Sequence, residues 1–128
     1  MSVKAEYRSA RVSPRKASDV AALVRGRSVN DALTILDHTP RRAASTIKKV
    51  IVSAKANAVH NHSYKPDSLF ISEISVGAGI RLKRYRPAAR GRALPYQHKT
   101  SHIKVLVDGE KRQAKTDRAK AAAKKETD

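Results

Sequence analysis

Ile80-Arg81-Leu82-Lys83-Arg84-Tyr85-Arg86-Pro87-Ala88-Ala89-Arg90-Gly91-Arg92-Ala93-Leu94-Pro95-Tyr96-Gln97-His98-Lys99-Thr100 carries seven cations and no acid. Connections longer than about 12–15 residues inside a compact domain are uncommon, and are functional or disordered where they occur. The flanks decide its form. Leu69 to Val76 is rich in β-formers but changes phase, with Leu69 and Ile71 in one register and Ile74 and Val76 in the other, which predicts a strand with a bulge near Glu73. Ile103, Val105 and Val107 alternate with Lys104 and Leu106 in a second strand ended by Asp108-Gly109. If both strands continue outward, residues 80–100 form a β-ribbon of ten residues per leg, about 33 Å long, turning near Pro87 to Gly91. A two-stranded ribbon with seven like charges is marginal alone, so an anionic partner is expected to order it.

Upstream, the spacing is helical. Val3, Ala5 and Tyr7 share one face of a short opening strand over Lys4 to Val12, and Ser13-Pro14 then reads as an N-cap and first helical residue. Ala17, Val20, Ala21 and Val24 form the apolar stripe of a first helix that stops at Gly26. Ser28 and Asp31 make a capping arrangement before Val29, Ala32, Leu33 and Leu36, and Thr39-Pro40 repeats the cap-and-proline device. From there Ala43, Ile47, Val50, Ile51, Ala54 and Ala58 sustain a stripe for five turns, with Arg41, Arg42, Lys48, Lys49 and Lys55 largely off it. The turn-like run Asn61 to Asp67 breaks this longest helix. The expected fold is α+β: three helices packed on a small three-stranded antiparallel sheet, with a long protruding β-hairpin. Residues 1–109 form the domain, and 110–128, lacking any large apolar side chain, read as a basic mobile tail.

Composition narrows the partner. The 128 residues hold 28 Lys+Arg against 11 Asp+Glu, a formal charge of +17, which makes a polyanion the leading partner. The absence of cysteine removes disulfides, thiolate metal sites and cysteine nucleophiles. No apolar run nears the ~20 residues of a membrane span and the N-terminus has no secretory pattern, so a cytoplasmic protein without membrane partner is expected. Five scattered aromatics, Tyr7, Tyr64, Phe70, Tyr85 and Tyr96, cannot stack successive bases, so shape and phosphate recognition of folded RNA fits better than single-strand reading.

Other chemistries fail on spacing. Gly77-Ala78-Gly79 begins a dinucleotide fingerprint, but its third glycine position is Leu82 and no helix follows, so no cofactor is expected and the glycines serve a bend at the ribbon's root. His60 and His62 do not share a helix face, which argues against a metal site. The acids Glu6, Asp19, Asp31, Asp37, Asp67 and Glu73 are not paired at any motif spacing, so neither an enzyme nor a small-molecule substrate is expected. A helix-turn-helix DNA binder also suits the net charge, but here the densest charge lies on the ribbon rather than on a recognition helix.

Several segments occur together in one order. Ser13-Pro14-Arg15-Lys16-Ala17, Val24 to Val29, Ala54 to Asn61, Lys83-Arg84 with Pro87, Gly91-Arg92-Ala93, and Thr100-Ser101-His102-Ile103 stand as in the family of ribosomal protein twenty-two of the large subunit, and the chain resembles that family from about Lys4 to Asp108. The resemblance implies a structural protein bound to large-subunit rRNA that assists subunit assembly, with neighbouring ribosomal proteins and the nascent polypeptide of the exit tunnel as further partners. It implies rRNA contacts from Arg11, Arg15, Lys16, Arg25 and Arg27, from Lys55, Asn57, His60 and Asn61, and from His102. On the ribbon it implies contacts from Arg81, Lys83, Arg84, Arg86, Arg90, Arg92 and Lys99, with Arg86, Pro87, Ala88, Ala89, Arg90, Gly91 and Arg92 as a tunnel-lining tip. Two positions depart from the family: Ile80 stands where proline is common, and Ala88 where arginine is common.

Overall fold

The computed structural model describes residues 2–112. Strand β1 (Val3–Ala10) leads into helices α1 (Pro14–Val24), α2 (Val29–His38) and α3 (Arg42–His62), followed by strands β2 (Phe70–Pro87) and β3 (Ala93–Asp108). The strands form one antiparallel sheet in the order β1-β3-β2, and with the three helices this is the α+β architecture expected. The sheet's inner face contributes Val3, Ala5, Ile71, Ile74, Ile103, Val105 and Val107 to the core. The helices contribute the expected stripes, Ala17, Val20, Ala21 and Val24 from α1 and Ile47, Val50, Ile51, Ala54 and Ala58 from α3. Alanine along α3 lets its backbone lie close to the sheet, so shape fit compensates for the small area each residue buries.

Helix ends follow the sequence with two differences. Ser28 Oγ accepts from the Asp31 N–H at 3.2 Å, and the same hydroxyl donates to the Asp31 carboxylate at 2.7 Å, so the expected cap of α2 is present. Ser13 makes no side-chain cap, although its carbonyl accepts the Ala17 N–H at 3.1 Å and Pro14 starts the helix. Thr39 belongs to the end of α2 rather than the start of α3: its N–H donates to Leu36 O and its hydroxyl to Ile35 O, at 3.3 and 2.7 Å. Helix α3 therefore begins at Arg42, and it runs through Asn61 and His62 before a left-handed Ser63 (φ 54°) ends it.

Bulges set the sheet's shape. Ile71 pairs with Val107 and Glu73 with Leu106, leaving Ser72 as the extra residue; this bulge keeps both Ile71 and Ile74 inward, the phase change legible in the sequence. A second lies between Tyr7 and Ala10 of β1, where Ser9 takes φ 56° and its N–H donates to His102 Nδ1 at 3.0 Å. The strand ends beyond it at Ala10, two residues earlier than expected, where the Val12 N–H turns back to Ala10 O at 2.8 Å. Tyr7 shares a face with Val3 and Ala5 but is half exposed, because it borders an open cleft against Thr46, Lys49 and Ser53 of α3. A third bulge places Gly79 and Ile80 against Thr100.

Before Ser101, β3 pairs with β2 alone, from Arg81↔Lys99 to Pro87↔Ala93. This paired arm has seven residues per leg, about 23 Å at 3.3 Å per residue, shorter than expected because the root bulge and the turn at residues 88–92 absorb the rest. The turn closes through Ala88 N–H to Arg92 O at 2.8 Å, with Arg90 and Gly91 both left-handed, φ 58° and 68°. No side chain from 81 to 99 enters the core.

Beyond β3 the described chain stays attached. Glu110 N–H donates to Ser68 Oγ at 3.1 Å, Lys65 Nζ pairs with the Glu110 carboxylate at 3.0 Å, and Arg112 N–H donates to Ser63 O at 2.6 Å. The rest of the expected tail, 113–128, lies outside the described residues.

Candidate nucleic-acid interface

The extended chain after β1, the first turn of α1, the connection into α3 and the root of the arm meet on one side of the domain. Arg11, Lys16, Arg41 and Arg42 surround a cleft of about 460 Å³. Arg15, Lys16, Arg81 and Lys99 surround a neighbouring one of about 400 Å³, and Arg11, Arg42, His98 and Lys99 a third of about 270 Å³. Shared walls make these one groove with seven Lys or Arg side chains from five segments and, among the described residues, no acidic side chain in the lining. Asp19 approaches from outside, 3.6 Å from Arg41, as an exposed pair contributing at most about 1 kcal/mol. Helix α1 turns its N-terminal Ser13, Pro14, Arg15 and Lys16 into the groove, adding the positive end of its dipole.

The arm continues this charge. Arg81, Lys83 and Lys99 lie on one face, Arg84 and Arg86 on the other, and Arg90 and Arg92 at the turn, all exposed. None takes part in a salt bridge among the described residues. Cations on both faces suit a ribbon flanked by anions on two sides. Among the described residues, the cationic surface thus continues from the groove to the arm's tip with no acidic side chain in its lining.

The remaining sequence-predicted residues do not join it. Arg25 donates to Ile74 O at 3.2 Å and Arg27 to Leu23 O at 2.9 Å, ties that hold the end of α1 and the edge of β2. Lys55 Nζ donates to Asn30 Oδ1 at 2.8 Å, joining α3 to α2. His102 receives the Ser9 N–H and so supports the β1 bulge. Asn57, His60 and Asn61 share one face of α3, but His60 lies eighteen residues from Arg42, about 27 Å along the helix at 1.5 Å per residue. They form a separate polar patch. Arg41 and Arg42 join the groove without a signal in the sequence, where they read only as cations off an apolar stripe and nothing local to them shows that Arg11 and Lys16 arrive opposite. His98 joins the groove in the same way.

Among the described residues no group of three or more metal-ligating side chains converges, and no helix is long and apolar enough to cross a membrane. The fold and this groove define a small basic α+β protein whose arm carries cations on both faces. The family model for ribosomal protein L22p/L17e matches residues 5–108, and the chain belongs to that family. It is similar to the large ribosomal subunit protein uL22 of Lactobacillus helveticus, 49% identical over 106 residues, 83% of this chain and 91% of the relative. Its similarity to the uL22 of Clostridioides difficile is 49% over 111 residues, 87% of this chain and the whole relative, and to that of Oceanobacillus iheyensis 48% over 111 residues, 87% and 98%. Membership makes it a structural protein of the large ribosomal subunit and not an enzyme, with the cytoplasmic location expected from the sequence.

Proposed function

We propose that the protein binds large-subunit rRNA through the groove and the arm, helps that RNA fold during subunit assembly, and lines the nascent-peptide exit tunnel with the arm's tip. The observation that carries this is the convergence of seven cations at the arm's root, continuous with those of the arm. Holding like charges together is unfavourable in the free protein and becomes favourable when phosphates enter and their counterions are released. The α+β body sets where the arm enters the RNA. The arm is long enough to pass between RNA helices, and neighbouring ribosomal proteins meet the outer surfaces of the body. In this reading the tip, Arg86 to Arg92, faces the emerging polypeptide.

Binding to large-subunit rRNA over a range of salt tests the reading. Substituting Arg84, Arg90 and Arg92 by Ala is expected to flatten the log–log salt slope by about 2–3, at roughly 0.7–0.9 per phosphate contact. An unchanged slope removes phosphate contact as their role. Equal competition by duplex DNA at matched salt would favour a general polyanion binder over an rRNA protein.

A further inference from the structure

Cross-strand partners share a face of a two-stranded ribbon, so the register divides the arm in two. One face carries Arg81, Lys83, Tyr85 and Lys99; the other carries the pairs Leu82↔His98, Arg84↔Tyr96 and Arg86↔Leu94. On this second face the Arg86 guanidinium sits over the Tyr96 ring, 5.6 Å from its centroid. The His98 ring meets the same ring edge-on at 5.3 Å and 87°. Arg84, opposite Tyr96, donates to the carbonyl of Lys83 at 2.8 Å. No core lies behind these groups, and Tyr96 and Leu94 are 39% and 55% exposed.

The Tyr96 hydroxyl can donate to a phosphate oxygen, but its exposed ring face and the exposed Leu94 beside it add no charge and are not accounted for by phosphate neutralisation. Every nucleobase, in contrast, presents a flat π-face, and stacking on an aromatic side chain contributes about 1–3 kcal/mol per base. We propose that Tyr96, framed by Arg86 and His98, stacks one unpaired RNA base, with Arg84 and Arg86 placed for the phosphates on either side of it. One ring on this face accommodates one base; Tyr85, the other aromatic of the arm, lies on the opposite face. The inference rests on the rRNA-binding reading and gives it a base-contacting residue that charge alone would not reveal.

The chain contains no tryptophan, so Tyr96→Trp in the full-length protein introduces a single indole reporter. Large-subunit rRNA and heparin, a polyanion without bases, serve as the two probes. The indole emission is expected to be quenched by the RNA and not by heparin at equal occupancy. Tyr96→Ala is expected to weaken rRNA binding about tenfold, within the 1–3 kcal/mol of a lost stack, while heparin affinity and the salt slope stay as in the unmodified protein and Tyr96→Phe retains binding. The stacking site is overturned if Tyr96→Ala leaves rRNA affinity unchanged or lowers heparin affinity equally, or if heparin quenches the indole as RNA does. A flat salt dependence of the unmodified protein would overturn the rRNA reading itself, a result distinct from any of these.

Discussion

Gly79 and Thr100 face each other so closely at the root of the arm that a Cβ on Gly79 would lie 2.6 Å from Thr100 Oγ1. That hydroxyl donates to Ile80 O at 2.5 Å, across the bulge where β2 supplies two residues against one of β3. The side chain of Thr100 thus occupies the space a side chain at 79 would need, and the pair sets the direction in which the arm leaves the sheet.

Gly79→Ala is therefore expected to destabilise the protein by about 1–3 kcal/mol, as overpacking against a fixed neighbour does. Gly77→Ala, where nothing lies within 4 Å of the new Cβ, is expected to be neutral or slightly stabilising. Thermal unfolding followed by circular dichroism separates the two, since about 1 kcal/mol shifts the Tm of a domain this size by roughly 4 °C. Equal midpoints would show that the root does not depend on this close approach.

The hydrogen bond from Ser9 N–H to His102 Nδ1 makes His102 a support of the β1 bulge. His102→Ala should lower stability by about 0.5–1.5 kcal/mol, the usual net worth of one hydrogen bond, and leave the salt slope of rRNA binding alone. A slope flattened with no change in Tm would instead show His102 acting as an RNA contact.

Arg41 and Arg42 stand at the wall of the groove, and among the described residues Arg41 alone of the two forms an ion pair, with the exposed Asp19. The double substitution to Ala is expected to reduce the salt slope by about 1.4–1.8 with little change in Tm. Melting temperatures and slopes measured on the same preparation check both halves of that statement.

Removing residues 83–93 deletes arm residues that bury nothing in the core and leaves Leu82↔His98 joined by four residues, an acceptable hairpin loop. The shortened protein is expected to unfold cooperatively within a few degrees of the full chain, at the ~1 kcal/mol level by which loop changes alter stability. Loss of a cooperative transition would show that the arm supports the body.

Periodicity and charge are local properties, and what depended on them was legible in the linear chain. The stripes Ala17-Val20-Ala21-Val24 and Ile47-Val50-Ile51-Ala54-Ala58 defined helices because their spacing matches 3.6 residues per turn, and they are the faces buried against the sheet. Ile71 and Ile74 announced a bulge because a strand's side chains alternate with period two, and an inward pair three apart breaks that parity. The acid-free run from Arg81 to Lys99 pointed to a polyanion by its sign alone. Which cations face the same space was decided by packing. Arg11 and Lys16 are distant in sequence from Arg42 and Lys99 and meet them only because α1 and α3 lie beside the arm's root, while Arg25, Arg27 and His102, which the resemblance also implies as rRNA contacts, are drawn into ties that hold strands and helix ends together. A side chain's charge is set by its own chemistry, but its partner is set by whatever backbone the rest of the fold brings within about 3 Å, and that information is not local.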